Sequence, residues 1–170
     1  IAGAQVSASL GIFSESTLTA KDGQYIMRLK VSYWFARVKI VVSAKGYEQK
    51  SSYVFIFPGR QSLLANFELA DRTKPDLTIV SPVSGSEIFP DPVIELRYDD
   101  QVSGINLGSL VIFANDREIS KYIKTIDLQK ATCSIPQDDP LPNGACKITA
   151  RVKDRAGNLA AESVFVMVID

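Results

Sequence analysis

The residues in this chain best suited to chemistry are carboxylates. Asp71, Asp76, Asp99, Asp100 and Asp154 fall at the ends of apolar runs and in the short segment between two halves. Oxygens gathered from a linker and two loops can supply the roughly six to eight ligands that Ca²⁺ takes. On that chemistry Asp71, Asp100 and Asp154 are the candidate ligands, with Asp138-Asp139 as a second, weaker cluster. The same residues suit a plainer role. Each lies in a turn, where an Asp side chain accepts backbone N–H bonds, and no Asp-x-Asp-x-Asp spacing occurs. Turn capping is the favoured reading, with no resident metal or other cofactor.

Two cysteines and one aromatic run are the other candidates. Alternation from Cys146 puts Ile148, Ala150 and Val152 on its own face and Lys147, Thr149, Arg151 and Lys153 on the other, so Cys146 points inward. Cys133 begins a similar face with Ile135. Two inward cysteines on adjacent strands, at either end of the loop 136–145, suit a disulfide and hence an oxidising compartment. The alternative is a pair of reduced, buried thiols acting as small apolar groups; the bridge is the reading adopted. Tyr33-Trp34-Phe35 is the one dense aromatic run and contains the sole Trp. Successive strand residues face opposite ways, so at least one of the three rings is exposed or lies in a loop. Exposed rings suit sugar stacking or a protein interface. Against that, Trp34 can plug the end of a core.

Composition removes several function classes. The chain of 170 residues has no His. That excludes Ser-His-Asp and Cys-His nucleophile activation and every His-containing zinc site. The two Cys are too few for a Cys-only zinc site. The glutamates sit within ordinary alternation as solvent-side partners, so no carboxylate pair for glycoside cleavage is assignable. The expectation is a protein that is not an enzyme. Lys+Arg and Asp+Glu are equal at 19 each, so the electrostatic case for nucleic acid or an anionic membrane falls away. No apolar run approaches the roughly 20 residues of a membrane-spanning helix.

The elements that position these residues read as strands throughout. Period-2 alternation with β-branched residues dominates. In the first half the strands fall near 4–10, 13–20, 24–30, 37–44, 48–57 and 61–69. Lys21-Asp22-Gly23, Lys45-Gly46-Tyr47 and Pro58-Gly59-Arg60 supply turn chemistry between them. Asp71-Arg72-Thr73-Lys74-Pro75-Asp76 is the best linker. Beyond it strands fall near 77–81, 93–99, 109–114, 117–119, 122–127, 131–135, 146–153 and 162–169. The fold class is all-β: two tandem β-sandwich domains, residues 1–70 and 71–170.

Both halves carry motif series that resemble known modules. Ile1-Ala2-Gly3-Ala4-Gln5-Val6, then Thr19 to Tyr25, then Val41 to Tyr47 with Ser43-Ala44-Lys45-Gly46, resemble the transthyretin-like carboxypeptidase regulatory-like domain. In the second half the series is Ile79-Val80-Ser81-Pro82, Asp100…Ser103-Gly104-Ile105 and Lys153-Asp154-Arg155-Ala156-Gly157-Asn158. It is similar to bacterial Ig-like β-sandwich modules. These resemblances imply a non-catalytic structural or interaction segment of a secreted, cell-surface prokaryotic protein, acting as a spacer or adhesive module. Its partners would be neighbouring domains or other copies of the chain.

Two alternatives stay open. One is a carbohydrate-binding module using Tyr33, Trp34 and Phe35. The other is a homopolymeric filament. The first family normally has a further strand upstream, and this chain opens on Ile1, which reads as a processed or excised start. An edge beside residues 4–10 is then left for an internal segment or another copy to cover.

Overall fold

Alternating β-branched sequence buries its apolar side chains as sheet faces. The computed structural model describes residues 1–29, 35–57, 63–125 and 127–170. It is all-β, with no α-helix among the described residues. Those residues divide into two units, Ile1–Arg72 and Thr73–Asp170.

The first unit is built on one antiparallel sheet. Its strands are β1 (Gln5–Leu10), β2 (Phe13–Leu18), β3 (Ala36–Ser43) and β4 (Lys50–Ile56), in the order β2-β1-β3-β4. Gly11, at a φ of 59°, makes the reversal that sets Leu10 opposite Phe13. One face buries Val6 and Ala8 of β1 and Val38, Ile40 and Val42 of β3. That face is covered by half-buried Tyr25, Met27 and Leu29 from one segment and Ala65, Phe67 and Leu69 from another. The Tyr25 hydroxyl ties the two segments by donating to the Ala65 carbonyl at 2.9 Å. Its burial pushes the phenol pKa up.

Two expectations change here. Segments 24–29 and 63–69 keep the alternation expected of strands, yet neither belongs to a strand among the described residues. They pack by side-chain burial. Residues 4–10 are also not at an open edge, because β1 lies inside the sheet with β2 on one side and β3 on the other. The internal segment 13–18 has taken the covering role. Among the described residues the sheet ends instead at β2, where Phe13 and Leu18 stand exposed.

The second unit is a two-sheet sandwich. The strands are β5 (Asp76–Ser81), β6 (Glu87–Ile88), β7 (Val93–Asp99), β8 (Ile105–Ala114), β9 (Arg117–Glu118), β10 (Ile123–Thr125), β11 (Lys130–Ser134), β12 (Gly144–Asp154) and β13 (Leu159–Val168). One sheet runs β10-β11-β7-β5 and the other β6-β13-β12-β8-β9. Between them Ile94, Leu96, Ile112, Ile148, Val152 and Val168 are fully buried or nearly so. Each such side chain contributes about 1.5–3 kcal/mol relative to exposure. Tyr98 is buried too, and its hydroxyl is satisfied by donating to the Lys130 carbonyl at 2.8 Å. The hairpin from β8 to β9 turns on Asn115, at a φ of 51°, whose Oδ1 accepts the Lys147 N–H at 2.8 Å.

Candidate functional site

The first unit presents an aromatic, cationic surface on the solvent side of its sheet. Strand alternation aims Arg37 and Lys39 of β3 outward, and antiparallel register sets them opposite Phe55 and Tyr53 of β4. Phe35, just before β3, stacks on Phe55 with centroids 5.5 Å apart and planes at 18°. It meets Phe57 at 5.5 Å in a tilted contact. The three rings remain 54%, 46% and 50% exposed. The Arg37 guanidinium lies 3.7 Å above the Tyr53 ring, a spacing at which a cation is held by the negative face of the π system. Serines fill the same face further along: Ser7 and Ser9 of β1 and Ser51 of β4. Flat apolar rings beside hydroxyls and two cations can stack against an extended ligand and hydrogen-bond its rim.

Of the aromatic run singled out in the sequence, Phe35 takes part in this surface; Tyr33 and Trp34 lie outside the described residues. Sequence reasoning missed Phe55, Phe57 and Tyr53. Their alternation in Tyr53-Val54-Phe55-Ile56-Phe57 was the available signal, because it puts three rings on one face.

The acidic candidates are distributed between the units. Asp71 belongs to the first, where it bridges Tyr47 across an antiparallel contact. Asp100 and Asp154 come together in the second, with a carboxylate oxygen of each within 4.8 Å of the other. Both cap turns. Asp100 Oδ1 accepts the N–H groups of Val102, Ser103 and Gly104 at 3.0, 2.7 and 2.7 Å. Asp154 is 0% exposed; its Oδ1 accepts the Asn158 N–H and its Oδ2 the Asn158 side-chain amide, both at 2.7 Å. Arg155 N–H donates to the Gly104 carbonyl at 2.9 Å and joins the two turns. Asp100 Oδ2 is buried and, among the described residues, accepts no hydrogen bond. Within this unit the pair could offer a cation two carboxylates, toward the roughly six to eight oxygens Ca²⁺ takes.

Asp139, in the second cluster, is committed to neighbours. It accepts from the Tyr122 hydroxyl and from Lys121 Nζ at 3.0 Å, and pairs with Arg117. The Tyr122 hydrogen bond first, then the Lys121 hydrogen bond, holds its carboxyl at about 2. An open groove of about 380 Å³ on the outer side of β5, β7 and β11 has mixed charge, with Asp76 and Asp99 beside Arg97 and Lys130.

The expected disulfide is not formed: Cys133 and Cys146 are free, buried thiols. They are not on adjacent strands, because β11 and β12 belong to different sheets and the intervening loop crosses the sandwich. Each thiol faces its own backbone partner. Cys133 donates to the Ile119 carbonyl at 3.6 Å, and Cys146 interacts with the Asn115 backbone N–H. Burial pushes both thiols up, Cys133 to about 11; for Cys146 the Asn115 contact offsets part of the rise. The argument for an oxidising compartment drawn from a bridge lapses with it.

Comparisons with known proteins bear on the fold. No protein-family profile matches the chain, and no curated protein matches it. Among solved structures it is similar to the endo-β-1,4-mannanase from Thermotoga petrophila, with 14% identity over 59% of this chain and 21% of that one, at a TM-score of 0.50. Latent PorU from Porphyromonas gingivalis is 17% identical over 99% of this chain and 20% of its own, at 0.46. The Clostridium thermocellum CbhA fibronectin(III)-like modules are 13% identical over 98% and 78%, at 0.40. The chain thus spans about a fifth of the first two proteins. At 14% identity the likeness to the mannanase structure speaks for a shared fold alone, over the 59% of this chain that it covers. No described helix is long and apolar enough to cross a membrane.

Proposed function

We propose that this chain is a non-catalytic interaction segment of a secreted or cell-surface prokaryotic protein, serving as a spacer that also adheres. The observation that carries the reading is the exposed Phe35–Phe55–Phe57 cluster on the outer face of the first unit's sheet. Exposed apolar groups in contact with one another lose little by meeting a ligand and shed water when they do. The Ig-like turns at Asp100–Ile105 and Lys153–Asn158 support the modular part of the reading.

A second reading is favoured by the same rings together with the neighbouring serines and Arg37: a carbohydrate-binding module whose sugars stack on Phe35, Phe55 and Phe57. Retention of the purified chain on insoluble polysaccharides, with parallel assay for released reducing sugar, tests both. The expected result is retention without release, weakened about tenfold in a Phe55→Ala/Phe57→Ala variant. Sustained release of sugar would overturn the non-catalytic reading. Retention untouched by the double variant would overturn the aromatic face as the site.

A further inference from the structure

The second unit has an outward face of its own, on the sheet β6-β13-β12-β8-β9. Along β12 the solvent-facing residues are Lys147, Thr149, Arg151 and Lys153. Register places Phe165, Ser163, Ala161 and Leu159 of β13 opposite them. On the other side β8 offers Phe113 against Thr149 and Val111 against Arg151. None of these cross-strand partners is a carboxylate. Acidic residues of this face stand on the marginal strands, Glu87 of β6 and Glu118 of β9. Among the described residues Lys147, Arg151 and Lys153 form no ion pair.

Instead, two of these cations lean over rings. Lys147 Nζ lies 5.7 Å from the centre of Phe165, and the Arg151 guanidinium 5.4 Å from that of Phe113. Phe165 keeps 60% of its surface exposed. Between the two rings sit the hydroxyls of Thr149 and Ser163, 3.0 Å apart. Phe113 and Phe165 flank β12 two strands and two residues apart, which sets them about 12 Å from one another. The chain as a whole is neutral, so three uncompensated cations in one row are a local field and not a general property of the surface.

We propose that this face binds an acidic polysaccharide, a chain of uronic acid residues lying across β8, β12 and β13. Its carboxylates would meet Lys147, Arg151 and Lys153, the apolar sides of its rings would stack on Phe113 and Phe165, and its hydroxyls would bond the Thr149–Ser163 pair. Charge complementarity selects an anionic partner. Three cations in a neutral chain give few phosphate contacts, which disfavours nucleic acid. Phe165 and Phe113 each carry a cation over the ring, so neither offers a bare apolar wedge to a lipid bilayer. The proposal rests on the reading of this protein as an interaction module, and it uses a different unit from the Phe35 stack.

Isothermal titration of the full chain with polygalacturonate tests it. Binding is expected, weakened about tenfold by Lys147→Glu/Arg151→Glu and at least as much by raising salt from about 0.05 to about 0.5 M. Lys147→Gln/Arg151→Gln, which removes charge without reversing it, gives an intermediate loss and serves if the reversal variant fails to fold. Phe55→Ala/Phe57→Ala leaves this binding unchanged; if that variant alone abolished it, the ligand would belong to the first unit and the proposal would fall. Absence of binding, equal binding by the glutamine variant, or equally tight binding of oligo(dT) or of phosphatidylglycerol vesicles would each overturn the proposal. No retention of the unsubstituted chain on neutral polysaccharides, with its polygalacturonate binding intact, would defeat the carbohydrate reading of the first unit and leave this one standing.

Discussion

The two units start from the same alternating grammar and reach different degrees of closure. In the second, two sheets face each other and enclose Ile94, Leu96, Ile112 and Ile148. In the first, among the described residues, one four-stranded sheet buries mainly Ala, Val and Ile40, and its cover is made of half-buried side chains on segments outside any described strand. Alternation makes an apolar face; whether the face becomes a closed core depends on what packs against it. Surface character differs as well. Both expose a ring under a cation, Tyr53 beneath Arg37 in the first and Phe165 beneath Lys147 in the second, but the first adds rings stacked on one another.

Four measurements bear on that contrast. The largest effect is expected from Ile148→Ala, at about 2–5 kcal/mol, because Ile148 is enclosed on all sides. Ile40→Ala, under a looser cover, should fall at the low end of the same range. Hydrogen exchange resolved by unit would read both, and equal losses would dissolve the distinction. Next is turn chemistry. Asp154→Ala removes a buried acceptor of two part-buried Asn158 bonds and should cost about 1–3 kcal/mol. Asp22 accepts one exposed bond, from the Gln24 N–H at 2.9 Å. Its alanine variant should cost about 0.5 kcal/mol by thermal unfolding.

A smaller effect concerns acid. The Asp139 carboxyl is held at about 2, below its ordinary 3.8. A depressed pKa in the folded state stabilises above the ordinary range and ceases to do so as pH falls from about 4 to about 2. Asp139→Asn should flatten that limb of the second unit's pH–stability curve and leave the first unit's unchanged. The smallest effect is expected from reductant. With Cys133 and Cys146 as free thiols, dithiothreitol should leave the melting temperature of the second unit unmoved, and alkylation after denaturation should label both. Labelling of neither would restore the bridge.

Much of this arrangement was written locally. β1, β3, β7, β11, β12 and β13 follow runs whose period-2 pattern is visible in the residues themselves, and the Asp100 and Asp154 turns follow from Asp, Gly and Asn. Even the cation row of β12 was legible, as the face opposite Cys146. Strand β6 was not, since two residues carry no period.

What the sequence by itself determined is therefore the alternation, and with it which side of each run turns inward, because that depends on neighbours one or two positions away; segments 24–29 and 63–69 alternate too, yet among the described residues they belong to no strand. Tertiary structure decided the partners. It placed Cys133 and Cys146 on different sheets, enclosed β1 between β2 and β3, stacked Phe35 on Phe55 and brought Phe113 and Phe165 to either side of β12. Sheet membership and register are set by burial summed over the whole face, and contacts between residues 20 or more positions apart leave no local trace in the chain.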